Sequence, residues 1–367
     1  MDGETGVVAE GKVDLKDLSF PMLLAALEPL GFDRLRATRL YKWIWKKNVR
    51  DFERMTDITG PLRRKLAARY TISALGSAGV FLSEDGTTKY LWRTHDGYLI
   101  ESVLIPDGER LTLCVSTQVG CAMACTFCLT GDLGLKRNLL PGEIADQPLQ
   151  VSLGLPPDQR ITNIVMMGMG EPLHNYENLV IALDLYLNQD ALNFSHRKVT
   201  VSTVGLVPAM RRLVAETQVN LAVSLNATTE AQRAEVMPIT RRYSLAELMA
   251  ACRELPLRHR KRITFEYVMM AGFNDSLEDA ARLAELLTGV RAKINLIPYN
   301  ENPEREIRRP DEAAVRRFHT FLLDRGFCTS VRHTRGRDIS AACGQLGGPD
   351  ALARRLRRSR DSVGGVS

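Results

Sequence analysis

From about residue 110 onward the chain alternates short apolar runs with helix-length amphipathic stretches, and this alternation limits the possible folds more than any other feature. The apolar runs, read as strands, cover 112–115, 163–167, 198–202, 220–224, 263–268, 293–297 and 329–332. Between them, segments 178–187, 245–254, 277–287 and 313–325 space their apolar residues as helices do. Runs with little polar alternation suit parallel strands buried on both faces. Repeated strand–helix units make the chain α/β, with a parallel sheet that is either open or rolled into a partial barrel. Sites in such folds are built beyond the carboxyl ends of the strands.

Upstream the pattern changes. Segment 19–72 reads as a small helical domain, with Leu23, Leu24, Leu27 and Leu30, then Leu40, Trp43 and Ile44, at helical spacing. It mixes Arg34, Arg36, Arg39, Lys42, Lys46, Lys47 and Arg50 with Tyr41, Trp43 and Trp45. Two readings fit that mixture: a surface for a polyanionic partner, or an ordinary helix with a basic wet face and an aromatic core. Segment 73–106 has turn signals at Ser83-Glu84-Asp85-Gly86 and His95-Asp96-Gly97 and reads as a β-hairpin linker. The core is expected over 107–348, between a loose leader, 1–18, and a basic tail, 349–367, with Arg354, Arg355, Arg357, Arg358 and Arg360. Further basic clusters fall at Arg197-Lys198, Arg241-Arg242 and 259–262. The excess of 49 Lys and Arg over 43 Asp and Glu suits a polyanionic partner. No apolar run approaches the roughly 20 residues of a membrane span, and the first residues lack the order of a secretory signal. A monomeric, cytoplasmic protein is expected.

Seven cysteines are present, an odd number that argues against a disulfide scaffold in a reducing compartment. Cys121, Cys125 and Cys128 form a C-x3-C-x2-C loop just beyond the strand at 112–115. Three thiolates can hold three irons of one 4Fe–4S cube and leave the fourth iron open, as a catalytic centre requires. The rival is structural zinc, which wants a fourth Cys or His. No His lies near the loop, and Cys114, the nearest other thiol, falls in a strand. Cys252 and Cys328 are expected to be packing residues.

The C-x3-C-x2-C loop resembles the signature of the radical S-adenosylmethionine superfamily. In that superfamily the open iron chelates the methionine moiety, an electron from the cluster cleaves the cofactor to a deoxyadenosyl radical, and the fold is a partial (β/α) barrel. The resemblance extends to the RlmN/Cfr group of adenine methyltransferases through segments 113–121, 168–172 (Gly-Met-Gly-Glu-Pro), 201–205, 224–226 (Ser-Leu-Asn), 295–300 and 334–344. It keeps the motif order over about residues 20 to 350.

That resemblance implies a mechanism. Adenine C2, flanked by two ring nitrogens, is no nucleophile, so ordinary methyl transfer fails and a radical route is used. A thiolate, a good nucleophile, takes the methyl first. Cys343 matches the methyl-carrying cysteine and Cys114 the resolving one, with a transient disulfide between them and two S-adenosylmethionine molecules spent per turnover. Glu101 matches the proton acceptor, although a charge at that strand position, taken alone, is expected to face solvent. Gly170, Glu171, Ser202, Ser224, Leu225, Asn226 and Asn300 match cofactor contacts. Asn226 departs from the His of many relatives, and glycine at 168 and 170 is expected to let the backbone approach the ligand. Pro148 departs too, and is expected to kink or delay the helix around 146–151. The implied partners are 23S rRNA in its peptidyl-transferase region, tRNA at the adenosine 3' of the anticodon, and an electron donor such as flavodoxin. A Cfr-type enzyme acting at C8 shares these motifs; Ser224-Leu-Asn and the length favour C2. The alternative from another class is a non-catalytic zinc-containing RNA-binding protein.

Overall fold

The computed structural model describes residues 11–302 and 305–347; the basic tail and most of the leader lie outside the described residues. The N-terminal unit begins with β1 (Val13–Asp14), followed by α1 (Phe20–Leu27), α2 (Arg34–Trp45) and α3 (Gly60–Arg69), and ends in β2 (Tyr70–Thr71), which pairs in parallel with β1. Asp33 starts α2 by accepting from the Arg36 N–H, which satisfies a donor the first turn leaves open. Phe20, Tyr41 and Trp45 pack edge-on, with ring centroids 5.3 and 6.4 Å apart. Tyr41 and Trp45 are therefore core, and half-buried Trp43 lies under the Lys47 ammonium. The arginines and lysines of α2 point outward.

The main sheet starts with β3 (Gly76–Leu82), β4 (Thr88–Arg93), β5 (Leu99–Asp107) and β6 (Arg110–Cys114), all antiparallel. Next come β7 (Gln118–Gly120), α4 (Leu129–Asp132) and β8 (Leu135–Asn138), with β7 and β8 paired as a separate ribbon, and then α5 (Pro141–Leu153). The alternating part follows: β9 (Asn163–Met166), α6 (Tyr176–Leu187), β10 (Val199–Thr203), α7 (Val207–Glu216), β11 (Asn220–Ser224), α8 (Glu230–Val236) and α9 (Leu245–Glu254). It ends with β12 (Ile263–Met269), α10 (Leu277–Leu286), β13 (Ala292–Pro298), α11 (Glu312–Asp324) and β14 (Thr329–Val331). The ten strands run in the order β14-β13-β12-β11-β10-β9-β6-β5-β4-β3, parallel from β14 to β6. Each apolar run of the sequence is a parallel strand. The expected hairpin is not a separate linker sheet; it extends the same sheet.

Segment 332–347 closes the fold. It leaves β14 and returns to the opposite edge, where Gly336 N–H donates to Asp85 (2.9 Å), Lys89 Nζ donates to the Ser340 carbonyl (3.4 Å) and Gly347 N–H donates to Glu101 Oε2 (3.1 Å). A loop this short reaches both edges only because the sheet curls.

Two expectations need correction. Pro148 neither interrupts nor delays its helix, because α5 runs from Pro141 through it to Leu153. Proline removes the N–H that would satisfy the Ile144 carbonyl four residues back, and the Tyr186 hydroxyl on α6 donates to that carbonyl instead, at 2.9 Å. Cys328 is exposed just before β14 rather than packed in the core, whereas Cys252 is buried.

Candidate active site

A cavity opens at the carboxyl ends of β9 to β13, under segment 332–347. Cys121, Cys125 and Cys128 line it, and backbone bonds fix their loop. Thr126 N–H donates to the Val236 carbonyl (3.0 Å), Leu129 N–H to the Gly344 carbonyl (2.8 Å), and the Arg305 guanidinium to the Cys128 carbonyl (3.2 Å). Burial pushes all three thiols up, Cys121 to about 12. Cys128 raises Cys121 further, and both raise Cys125. Three desolvated sulfurs that repel one another as thiolates need a cation among them, so the donor set fits an iron–sulfur cluster.

Glu171 also lines the cavity. Burial raises its carboxyl to about 7, against the N–H groups of Val204 (2.9 Å) and Leu173 (3.1 Å) that it accepts. The two glycines before it serve packing more than ligand approach. A Cβ on Gly168 would meet the Val115 carbonyl oxygen at 2.7 Å, and one on Gly170, whose φ is +102°, would meet Gln118 Cβ at 2.5 Å. They let this loop press on the segment that leads from β6 into the cysteine loop.

Ser202, Ser224, Asn226 and Asn300 line the cavity; Leu225 does not, and is wholly buried in the core. Asn226 takes the left-handed backbone (φ 59°) and its side-chain oxygen accepts the Val268 N–H at 2.9 Å. Asn300 is held by the C-terminal loop: it donates to the Cys343 carbonyl (3.1 Å) and accepts from the Thr334 hydroxyl (2.8 Å).

Cys343 faces the same cavity from segment 332–347. Cys114, at the end of β6, is buried beside it. Burial pushes the Cys114 thiol up to about 12, the Cys343 charge adds to the rise, and Arg332 opposes it. The cysteines around the site thus divide into a triad and a pair. Glu101 does not line the cavity. It lies on β5 at 1% exposure, 3.1 Å from Lys89 Nζ, under the loop that carries Cys343. The expected solvent-facing position is wrong, because β4 supplies a buried lysine on the same face of the sheet.

Comparison with known proteins decides the family. Residues 115–284 match the model of the radical SAM superfamily, and residues 13–72 match that of the ribosomal RNA large subunit methyltransferase N-terminal domain. A "Dual-specificity RNA methyltransferase RlmN" from Anaeromyxobacter dehalogenans is 53% identical over 95% of this chain and 96% of its own length. The protein of that name from Geobacter sulfurreducens is 50% identical over 93% and 94%. The chain belongs to the RlmN family. A solved radical SAM methyltransferase from Sphaerobacter thermophilus, 43% identical, superposes with a TM-score of 0.85 over 91% of this chain and 99% of its own. The chain is thus an enzyme, a radical SAM RNA methyltransferase of the RlmN type with that class's α/β fold, and this family implies a 4Fe–4S cluster and S-adenosylmethionine. The Cfr-type and zinc-module alternatives are not favoured.

Against this RlmN-type background, two charged cavity residues escaped the sequence reading. Glu266 on β12 accepts from Asn295 Nδ2 (2.9 Å) through Oε1, while its buried Oε2 has no hydrogen-bond partner among the described residues. Arg332, just past β14, feels the charges of Cys343, Glu266 and Cys114. A glutamate within the apolar run Ile263-Thr-Phe-Glu-Tyr-Val was the available signal, since a buried charge needs a reason. Arg332 gave none, because strand ends often carry arginine.

Proposed function

We propose that this chain methylates C2 of adenine in 23S rRNA, in the peptidyl-transferase region, and in tRNA, at the adenosine 3' of the anticodon. One observation carries the reading: Cys343 faces the cavity that holds the three-cysteine loop, with Cys114 buried beside it. Cys121, Cys125 and Cys128 hold one 4Fe–4S cluster. When bound, the cluster would supply the electron that releases a deoxyadenosyl radical from S-adenosylmethionine, of which two molecules would be used per turnover, one of them as the methyl donor. Gly170, Glu171, Ser202, Ser224, Asn226 and Asn300 hold the cofactor; Leu225, buried behind the cavity, backs Ser224 and Asn226 from the core. Cys343 carries the methyl carbon to the base. Glu101 accepts the ring proton. Cys114 attacks the Cys343 sulfur, forming the S–S bond as the C–S bond to the product breaks. The helical segment 19–72 grips RNA with its outward basic residues, segments 73–106 and 107–348 build the catalytic body, and 1–18 and 349–367 flank it. A flavodoxin-like protein donates the electron to a monomeric, cytoplasmic enzyme; among the described residues no helix is long and apolar enough to cross a membrane.

The test is anaerobic turnover of wild type, Cys343→Ala and Cys114→Ala on both RNAs, read by mass spectrometry of digested nucleosides. Wild type should yield 2-methyladenosine, Cys343→Ala none, and Cys114→Ala a covalent protein–RNA adduct. Methylation by Cys343→Ala would remove Cys343 as carrier. A C8 product would move the enzyme to the Cfr type.

A further inference from the structure

The amino ends of the strands, opposite the cysteine cavity, carry a charge pattern that the reaction does not use. The loops entering β10, β12 and β13 place Arg197, Lys198, Arg258, Arg260, Arg262 and Arg291 there, all exposed. These loops form one built surface. Lys261 Nζ donates to the Gln218 carbonyl (2.8 Å) and Asn220 Oδ1 (2.7 Å), and Asn220 Nδ2 donates to the Arg197 carbonyl (2.9 Å). The Arg291 guanidinium reaches back to the carbonyls of Leu257 and Arg258. The structural bonds of these side chains thus go to neutral oxygens, and among the described residues no carboxylate lines the groove between the starts of β12, β13 and β14. Arg260 sits in the left-handed backbone region at φ 66°, which holds the 258–262 loop in a fixed turn. Nearby, burial and then the charges of Lys261, Arg197 and Arg258 lower His196. An unbalanced positive field of this kind recruits a polyanion.

We infer that this surface is a second contact for the RNA backbone, binding phosphates of the folded substrate remote from the target adenine. The inference rests on the RNA-methyltransferase reading above. Charge and hydrogen-bonding chemistry favour phosphates, since exposed guanidinium groups bind them bidentately. β12 alone, seven residues long, puts roughly 20 Å between the two ends of the sheet. A minimal stem-loop with its adenine in the cavity has little backbone left to pass that distance and turn onto the opposite face; a large folded RNA has enough to wrap to it.

The experiment compares wild type with the triple variant Arg197→Glu, Arg258→Glu, Arg262→Glu on two probes. One is a stem-loop carrying the target adenine; the other is full-length tRNA together with a large 23S fragment. Fluorescence anisotropy is measured across a salt series. For the large RNAs the variant should lose at least about tenfold in affinity, and the slope of log K against log salt should fall by about two, near 0.7–0.9 per lost phosphate contact. Stem-loop binding and cofactor cleavage without RNA should match wild type, which also shows that the variant is folded. Unchanged binding of the large RNAs would overturn the inference and leave an acidic protein as the partner to test. Equal loss on both probes would overturn it too, because the patch would then act near the adenine. Failure of wild type itself to bind any RNA would instead sink the methyltransferase reading.

Discussion

At the residue scale, Cys114 and Cys343 differ in what surrounds them. Cys114 is sealed at the end of β6 and burial pushes its thiol up to about 12, whereas Cys343 opens on the cavity. Alkylation needs the thiolate. At pH 7 to 8, iodoacetamide should therefore label Cys343 and leave Cys114 unlabelled in folded protein, with Cys114 labelling only after denaturation; peptide mass spectrometry reads both. Fast labelling of Cys114 would show that the pair is not held as described. Glu171 gives a second prediction. Its carboxyl titrates near 7 because burial raises it, and a cationic ammonium binds its ionised form. Binding of S-adenosylmethionine should tighten as pH rises, with proton release where Glu171 is still protonated in the free enzyme. Glu171→Gln should flatten the profile, as calorimetry in buffers of different ionisation enthalpy would show. The cysteine loop was legible because spacing alone limits which metals three thiols can hold. The surroundings of Glu101 were not, because its partner Lys89 comes from the neighbouring strand and a cross-strand pair leaves no local mark. Leu225 lies buried between Ser224 and Asn226, which both line the cavity, so side chains alternate here and a run of neighbouring positions hides which of them face it.

At the scale of elements, parallel strands were readable as apolar runs because burial on both faces removes polar alternation. The unbroken course of α5 through Pro148 was not, because what rescues it lies on another helix. The Tyr186 hydroxyl meets the Ile144 carbonyl that Pro148 strands. Tyr186→Phe should then leave a buried carbonyl unsatisfied and cost about 1–3 kcal/mol. In a Pro148→Ala background the restored N–H can take that carbonyl, so the same substitution should cost less, by about 1 kcal/mol or more. Urea unfolding of the four proteins gives the coupling. Equal costs in both backgrounds would mean that the hydroxyl does nothing for the helix.

At the scale of the molecule, the N-terminal unit is locked to the core by charges rather than by apolar surface alone. Lys16 Nζ lies 2.6 Å from Asp146 Oδ1 on α5, and both side chains are almost fully buried, at 1% and 2% exposure. Asp146 also accepts the Leu75 N–H (2.7 Å), and Asp17 accepts the Gly142 N–H (2.9 Å). An exposed pair would contribute under about 1 kcal/mol. A buried one behaves differently, since removing one partner leaves an uncompensated charge in a dry place and costs about 3–5 kcal/mol. Lys16→Met should accordingly lower stability by that amount, and adding Asp146→Asn should restore a good part of it by removing the stranded charge. Denaturant unfolding measures both steps. The same pair should matter for RNA. If the basic face of α2 grips the substrate while the cavity holds the adenine, the two must keep a fixed relation, and loosening the seam should weaken RNA binding in Lys16→Met while cofactor cleavage without RNA persists. A single mutant as stable as wild type would mean that water reaches the pair and that the unit is held by its apolar contacts instead. In that case RNA binding should be unaffected as well, so the two measurements stand or fall together.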